Sequence, residues 1–132
     1  MAQVWSEMSP STRALKAVED ALHNAHHFPE ELRKATALIA DQLHRHLSVD
    51  EIAQVAGCSP SHLNRCFRRY FDQSTTAYLI EQRLARAADL LLGTQRSIDD
   101  ICYACGFSQR AYFSRLFKRH LQQSPAAYRH NG

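Results

Sequence analysis

One stretch of this chain occurs twice. Ser48-Val49-Asp50-Glu51-Ile52 is echoed by Ser97-Ile98-Asp99-Asp100-Ile101, and Gly57 by Gly106, all at an offset of 49 residues. Past the turn the offset becomes 50: Arg65, Phe67, Arg69, Gln73, Ser74, Ala77 and Tyr78 return as Arg115, Phe117, Arg119, Gln123, Ser124, Ala127 and Tyr128. A single residue has therefore been added within Phe107-Ser108-Gln109-Arg110. Two copies argue for a duplicated unit and not for a solenoid, which needs at least three repeats.

Each copy reads as two helices around a tight turn. Ser48 is placed to cap a helix over 49–56, with Glu51 at the third position of a capping box and Val49, Ile52, Ala53 and Ala56 facing inward. Gly57 ends that helix, where a left-handed residue costs least. After Cys58, Ser59-Pro60 restarts a helix with serine as cap and proline at the first position, and Leu63, Cys66, Phe67 and Tyr70 form its apolar stripe. Phe113, Leu116 and Phe117 do the same in the second copy.

Between the copies, Ser74 caps a long helix to about residue 92, lined by Tyr78, Leu79, Leu84, Ala87, Ala88, Leu91 and Leu92 and stopped by Gly93. At 1.5 Å per residue it is roughly 27 Å long. Upstream, residues 10–27 suggest an amphipathic helix on Leu15, Val18 and Leu22. Pro29 opens another, running to about residue 46 on Leu32, Leu38, Ile39, Leu43 and Leu47. The expected fold is all-α: an N-terminal extension over 1–30, helix-turn-helix subdomains over 31–73 and 94–132, and a linker helix over 74–93.

A net charge of +3 is too small to identify a partner, but its distribution is informative. Residues 1–47 carry five basic and six acidic groups, and residues 48–132 carry eleven and seven. Seven of the sixteen basic groups fall in two segments without acids: Arg65, Arg68 and Arg69 in 60–71, and Arg110, Arg115, Lys118 and Arg119 in 108–121. Those segments are the second helices of the two copies, the position that enters the major groove in helix-turn-helix proteins.

Opposite the apolar stripes lie the candidate base readers: Ser61, Asn64 and Arg65 in the first copy, and Arg110, Ala111, Ser114 and Arg115 in the second. Arginine donates in parallel to guanine O6 and N7, asparagine pairs with adenine N6 and N7, and alanine can touch a thymine methyl. Arg68, Arg69, Lys118 and Arg119, later in the helices, suit phosphates, as do His62 and Tyr112. His62 fits an uninvolved, turn-facing side chain equally well, and Tyr112 a prop for the backbone. Because the two faces differ, the expected target is a directional site of about 20 base pairs read by one chain in two successive major grooves.

Other classes find little support. No signal peptide or transmembrane run is visible, and a reducing cytoplasm suits the four cysteines. Cys102 and Cys105 are spaced for core packing, and Cys58 and Cys66 lack zinc-knuckle spacing. His23, His26, His27, His44 and His46 have no carboxylate or cysteine set to complete a metal or triad site, so neither enzyme activity, cofactor nor metal is expected. A helical protein-binding adaptor or structural module is the alternative to a DNA reader.

The second copy, from Ile98-Asp99-Asp100-Ile101-Cys102-Tyr103-Ala104-Cys105-Gly106-Phe107-Ser108 through Tyr112-Phe113-Ser114-Arg115-Leu116-Phe117-Lys118 to Ser124-Pro125-Ala126-Ala127-Tyr128-Arg129, resembles the DNA-binding domain of AraC/XylS-family bacterial transcription regulators. Arg83-Leu84-Ala85-Arg86-Ala87-Ala88-Asp89-Leu90-Leu91 is similar to that family's linker helix, and the resemblance covers roughly residues 31–130. It implies seven helices in two subdomains, the same seven base-facing positions, double-stranded DNA as partner, and most often activation of initiation in contact with RNA polymerase. The unlike reading faces point to a monomeric DNA-binding part, and a piece of a longer regulator is the case in which a dimer is expected. Asp72 and Gln122 stand where the family commonly has glycine, and Thr75 where proline is common.

Overall fold

In a computed structural model, residues 15–16 and 28–132 are described. Apart from 15–16, which are helical, the expected helix over 10–27 lies outside the described residues, as do the histidines at 23, 26 and 27 and most of the extension over 1–30. Seven full helices follow: α1 Glu30–Gln42, α2 Val49–Ala56, α3 Pro60–Phe71, α4 Thr75–Gly93, α5 Ile98–Ala104, α6 Arg110–Leu121 and α7 Pro125–Asn131. No strand occurs among the described residues, so the fold is all-α.

The serine caps are present. Ser48, Ser59, Ser74, Ser97 and Ser124 each accept from the backbone N–H three residues on, at 3.0–3.1 Å. These bonds satisfy donors that a helix start leaves without partners. The capping box at Ser48 stays half-made. Glu51 turns its carboxylate to Arg45 instead of the Ser48 N–H, because a charge-assisted, two-pronged contact outcompetes a neutral amide. Arg45 also binds Gln42 Oε1 and the His46 carbonyl. This cluster coincides with the end of α1, which stops at Gln42, four residues before the expected boundary.

The two turns are built alike. Gly57 and Gly106 take left-handed conformations, with φ of 83° and 88°. The following residues donate back across each turn, Cys58 to Ala53 and Phe107 to Cys102, in a Schellman arrangement. The added residue of the second copy changes what comes next. Ser59 caps α3 and Pro60 begins it, whereas Gln109 precedes α6 without a side-chain cap.

The described chain divides into two compact units, at Gln82 and Arg83. The linker helix is therefore shared. Its first turns are the fourth helix of the first unit, the counterpart of α7, and its later turns open the second. In the first unit Leu32, Ile39, Ile52, Leu63, Phe67 and Leu79 form the buried centre. Phe67 and Tyr78 pack at 5.0 Å between ring centroids. The repeat places Phe117 against Tyr128 at 5.5 Å in the second unit, where Leu84, Ala88, Leu91, Ile101, Phe113 and Phe117 are also buried.

Cys102 and Cys105 are wholly buried free thiols, as their spacing suggested. Leu92 departs from its expected inward position and is 46% exposed. Leu116 and Tyr70 are only half-buried.

Candidate nucleic-acid interface

Helix α3 buries Leu63, Cys66 and Phe67, leaving Ser61, Arg65, Arg68 and Arg69 exposed. Helix α6 buries Phe113 and Phe117 and exposes Arg110, Ala111, Tyr112, Arg115, Lys118 and Arg119, with Ser114 half-buried. In each helix the aromatic packing fixes its rotation, so the basic and polar positions share the outer side. The later basic residues also lie at the helix C-termini, where positive charge is favoured by the backbone dipoles.

Four candidates have partners that sequence did not reveal. Asn64 is half-buried, and its Oδ1 accepts the Thr75 N–H at 3.0 Å. The bidentate adenine pairing expected of it needs that same oxygen, so this conformation withholds it. His62 sets its Nε2 3.7 Å from Cys66 Sγ, turning the ring toward its own helix. Arg110 is ion-paired with Asp99 from the first turn of α5. Arg69 lies over the Tyr70 ring at 5.6 Å.

Asp99 and Thr75 are the residues that sequence reasoning passed over. Asp99 entered only as the echo of Asp50, and Thr75 as a departure from proline. The signal for Thr75 was available in the repeat, since at offset 50 it faces Pro125 while Asn64 faces Ser114.

Burial pushes the thiols of Cys58, Cys66 and Cys102 above their ordinary range and that of Cys105 up to about 11. Thiols raised in this way are less ionised near neutral pH than a free cysteine, as suits packing groups. Among the described residues no group of three His, Cys, Asp or Glu side chains could hold a metal ion. No helix among them is long and apolar enough to cross a membrane.

Two helix-turn-helix units, each presenting a basic outer face on its second helix, define a helix-turn-helix DNA-binding regulator. A family model described as "Helix-turn-helix domain" matches residues 52–131. The probable transcription factor PqrA of Proteus vulgaris is 39% identical over 86 residues, covering 65% of this chain and 70% of that protein. The regulatory protein SoxS of Escherichia coli K12 is 35% identical over 94 residues, covering 71% and 88%.

Among solved structures, an AraC-type DNA-binding-domain regulator from Chromobacterium violaceum superposes with a TM-score of 0.73 at 36% identity, covering 76% of this chain and 90% of that one. The DNA-binding domain of AdpA, solved in complex with a target DNA, gives 0.74 at 31% identity, covering 78% and 93%. The chain belongs to the AraC/XylS family. It is a DNA-binding transcription regulator, and not an enzyme.

Proposed function

We propose that the chain binds a directional duplex site as a monomer, with α3 and α6 entering successive major grooves, and activates transcription in the cytoplasm in contact with RNA polymerase. The observation that carries this reading is the pair of unlike outer faces on two equivalently packed helices. The first offers Ser61 and Arg65, and the second Arg110, Ala111, Ser114 and Arg115. A palindrome read by a symmetric dimer needs no such difference. The likeness to AdpA's DNA-binding domain, solved on a target duplex, supports the mode of binding.

In this reading Arg65 and Arg115, matched across the repeat, each face a guanine, while Arg68, Arg69, Lys118 and Arg119 neutralise phosphates, with Tyr112 and His62 as further backbone contacts. Random-duplex selection followed by footprinting tests it, with one asymmetric motif and two protected grooves expected. Sedimentation of the complex should give one chain per site; two chains would overturn monomeric binding. Affinity that hardly falls as salt rises would turn the assignment toward a protein-binding adaptor, since phosphate neutralisation releases counterions.

A further inference from the structure

The first unit contains a hydrogen bond that its repeat lacks the means to make. Asn64 and Ser114 hold matched places on α3 and α6, and Thr75 and Pro125 hold the matched first positions of α4 and α7. Proline has no N–H, so the start of α7 leaves one donor fewer to satisfy. Thr75 keeps its N–H, and its side chain is wholly buried. Ser74 Oγ serves Ala77, and Asn64 Oδ1, reaching across from the recognition helix, serves Thr75 at 3.0 Å. Asparagine for serine and threonine for proline thus form one coupled change within the first unit.

The bond has a consequence for reading. Asn64 neighbours Arg65, and its carbonyl oxygen is the acceptor that adenine N6 requires. We infer that Asn64 is a positioning residue and not a base reader: it clips α3 to the first turn of α4 and so sets the aim of Arg65, and Thr75 keeps it from adenine. The first unit then reads through Ser61 and Arg65. This inference rests on the DNA-reading assignment above, but the clip itself is testable without DNA.

The test uses the full chain as wild type, Asn64→Ala, Thr75→Pro and the double variant, each followed by thermal unfolding and by random-duplex selection. With Thr75 present, Asn64→Ala strands an N–H and should lower Tm by about 4–8 °C, whereas alongside Thr75→Pro it should cost less than about 2 °C. Equal losses in the two backgrounds overturn the clip. In selection, Asn64→Ala should weaken the preference at the Arg65 base pair several-fold, and the double variant, which also lacks the bond, should show the same loss and no more. Thr75→Pro alone should weaken the Arg65 preference likewise and add a new A·T preference beside that position, because Asn64 is released.

Disappearance in Asn64→Ala of a separate base preference beside an unchanged Arg65 preference would show that Asn64 reads DNA directly. If Thr75→Pro does not fold, Asn64→Asp replaces it, because a carboxylate keeps the acceptor and cannot donate to adenine N7. An unchanged Tm and motif then support the clip, and loss of one base position overturns it. A wild-type chain that selects no motif while the thermal coupling persists marks a failure of the DNA assignment alone.

Discussion

Asp99 of α5 holds Arg110, the first residue of the second recognition helix, in an ion pair between side chains 60% and 44% exposed. It joins the two helices of that unit across the turn lengthened by one residue. The contact uses one arm of the guanidinium and leaves other N–H groups for a base edge. In a solvated setting such a pair adds little to stability, so its effect should be sought in orientation.

Asp99→Ala should therefore cost less than about 1 kcal/mol of folding stability. Its larger effect is on discrimination at the base pair facing Arg110, which should fall by a part of the roughly 1–3 kcal/mol that a bidentate arginine supplies. Binding to selected and scrambled duplexes measures both quantities. If both duplexes simply bind more tightly by the same factor, Asp99 acts only as a negative charge near phosphate.

Arg115→Ala and Lys118→Ala should separate base reading from phosphate contact. The first should lose roughly 1–3 kcal/mol of preference at one base pair, and the second should weaken all duplexes alike and lower the salt slope by about one. Equal loss on selected and scrambled sites for Arg115→Ala contradicts its assignment.

The recognition helices both end on a non-glycine residue in the left-handed region, Asp72 at φ 58° and Gln122 at φ 69°. A side chain there costs on the order of 1 kcal/mol, less for Asp than for residues such as Gln. Gln122 recovers part of this through a bond from Nε2 to the Arg119 carbonyl. Gln122→Gly should still stabilise by about 0.5–1 kcal/mol, and Asp72→Gly by less. Urea midpoints at unchanged slope give the comparison; a larger gain at Asp72 would contradict it.

The places where sequence served well are those governed by local chemistry. Serine caps, glycine turns and the apolar stripes of α3 and α6 each depend on a few neighbouring residues, and the repeat checked every reading against its twin. Sequence served poorly where side chains chose between partners. Glu51 had an available cap and took Arg45 instead, while Asn64 faced outward by periodicity and turned to Thr75. Leu92 fitted the apolar pattern of α4 yet is nearly half exposed, because its neighbour Leu91 already occupies the buried face.

Hydrogen bonding from Arg45 holds the Glu51 carboxyl below its ordinary range, against the opposing effect of desolvation. A depressed carboxyl contributes stability that is complete above the unfolded-state value, about 4.3, and is lost as pH falls through the lower folded value. Glu51→Gln should therefore be less stable than wild type at pH 7, with the gap closing below about pH 4. Urea midpoints at the two pH values measure it; a gap that widens in acid reverses the sign and removes the ion pair as its cause.

Cys105 titrates in the opposite sense. Burial pushes its thiol up to about 11, with Arg86 pulling weakly the other way. A raised pKa means that the folded state holds the proton more tightly than the unfolded chain, where a thiol titrates near 8.5. The associated stability is complete below that value and is lost as pH rises toward 11. Native protein at pH 8 should thus lose its thiols to a disulfide reagent in order of access. Cys58, the only one of the four that is not buried, should react first, and Cys102 and Cys105 only as fast as the second unit opens. Cys105→Ala should also flatten the alkaline limb of the stability profile between about pH 9 and 11. Labelling of Cys105 before Cys58 in folded protein would mean that the second unit opens more readily than the exposed turn at Cys58.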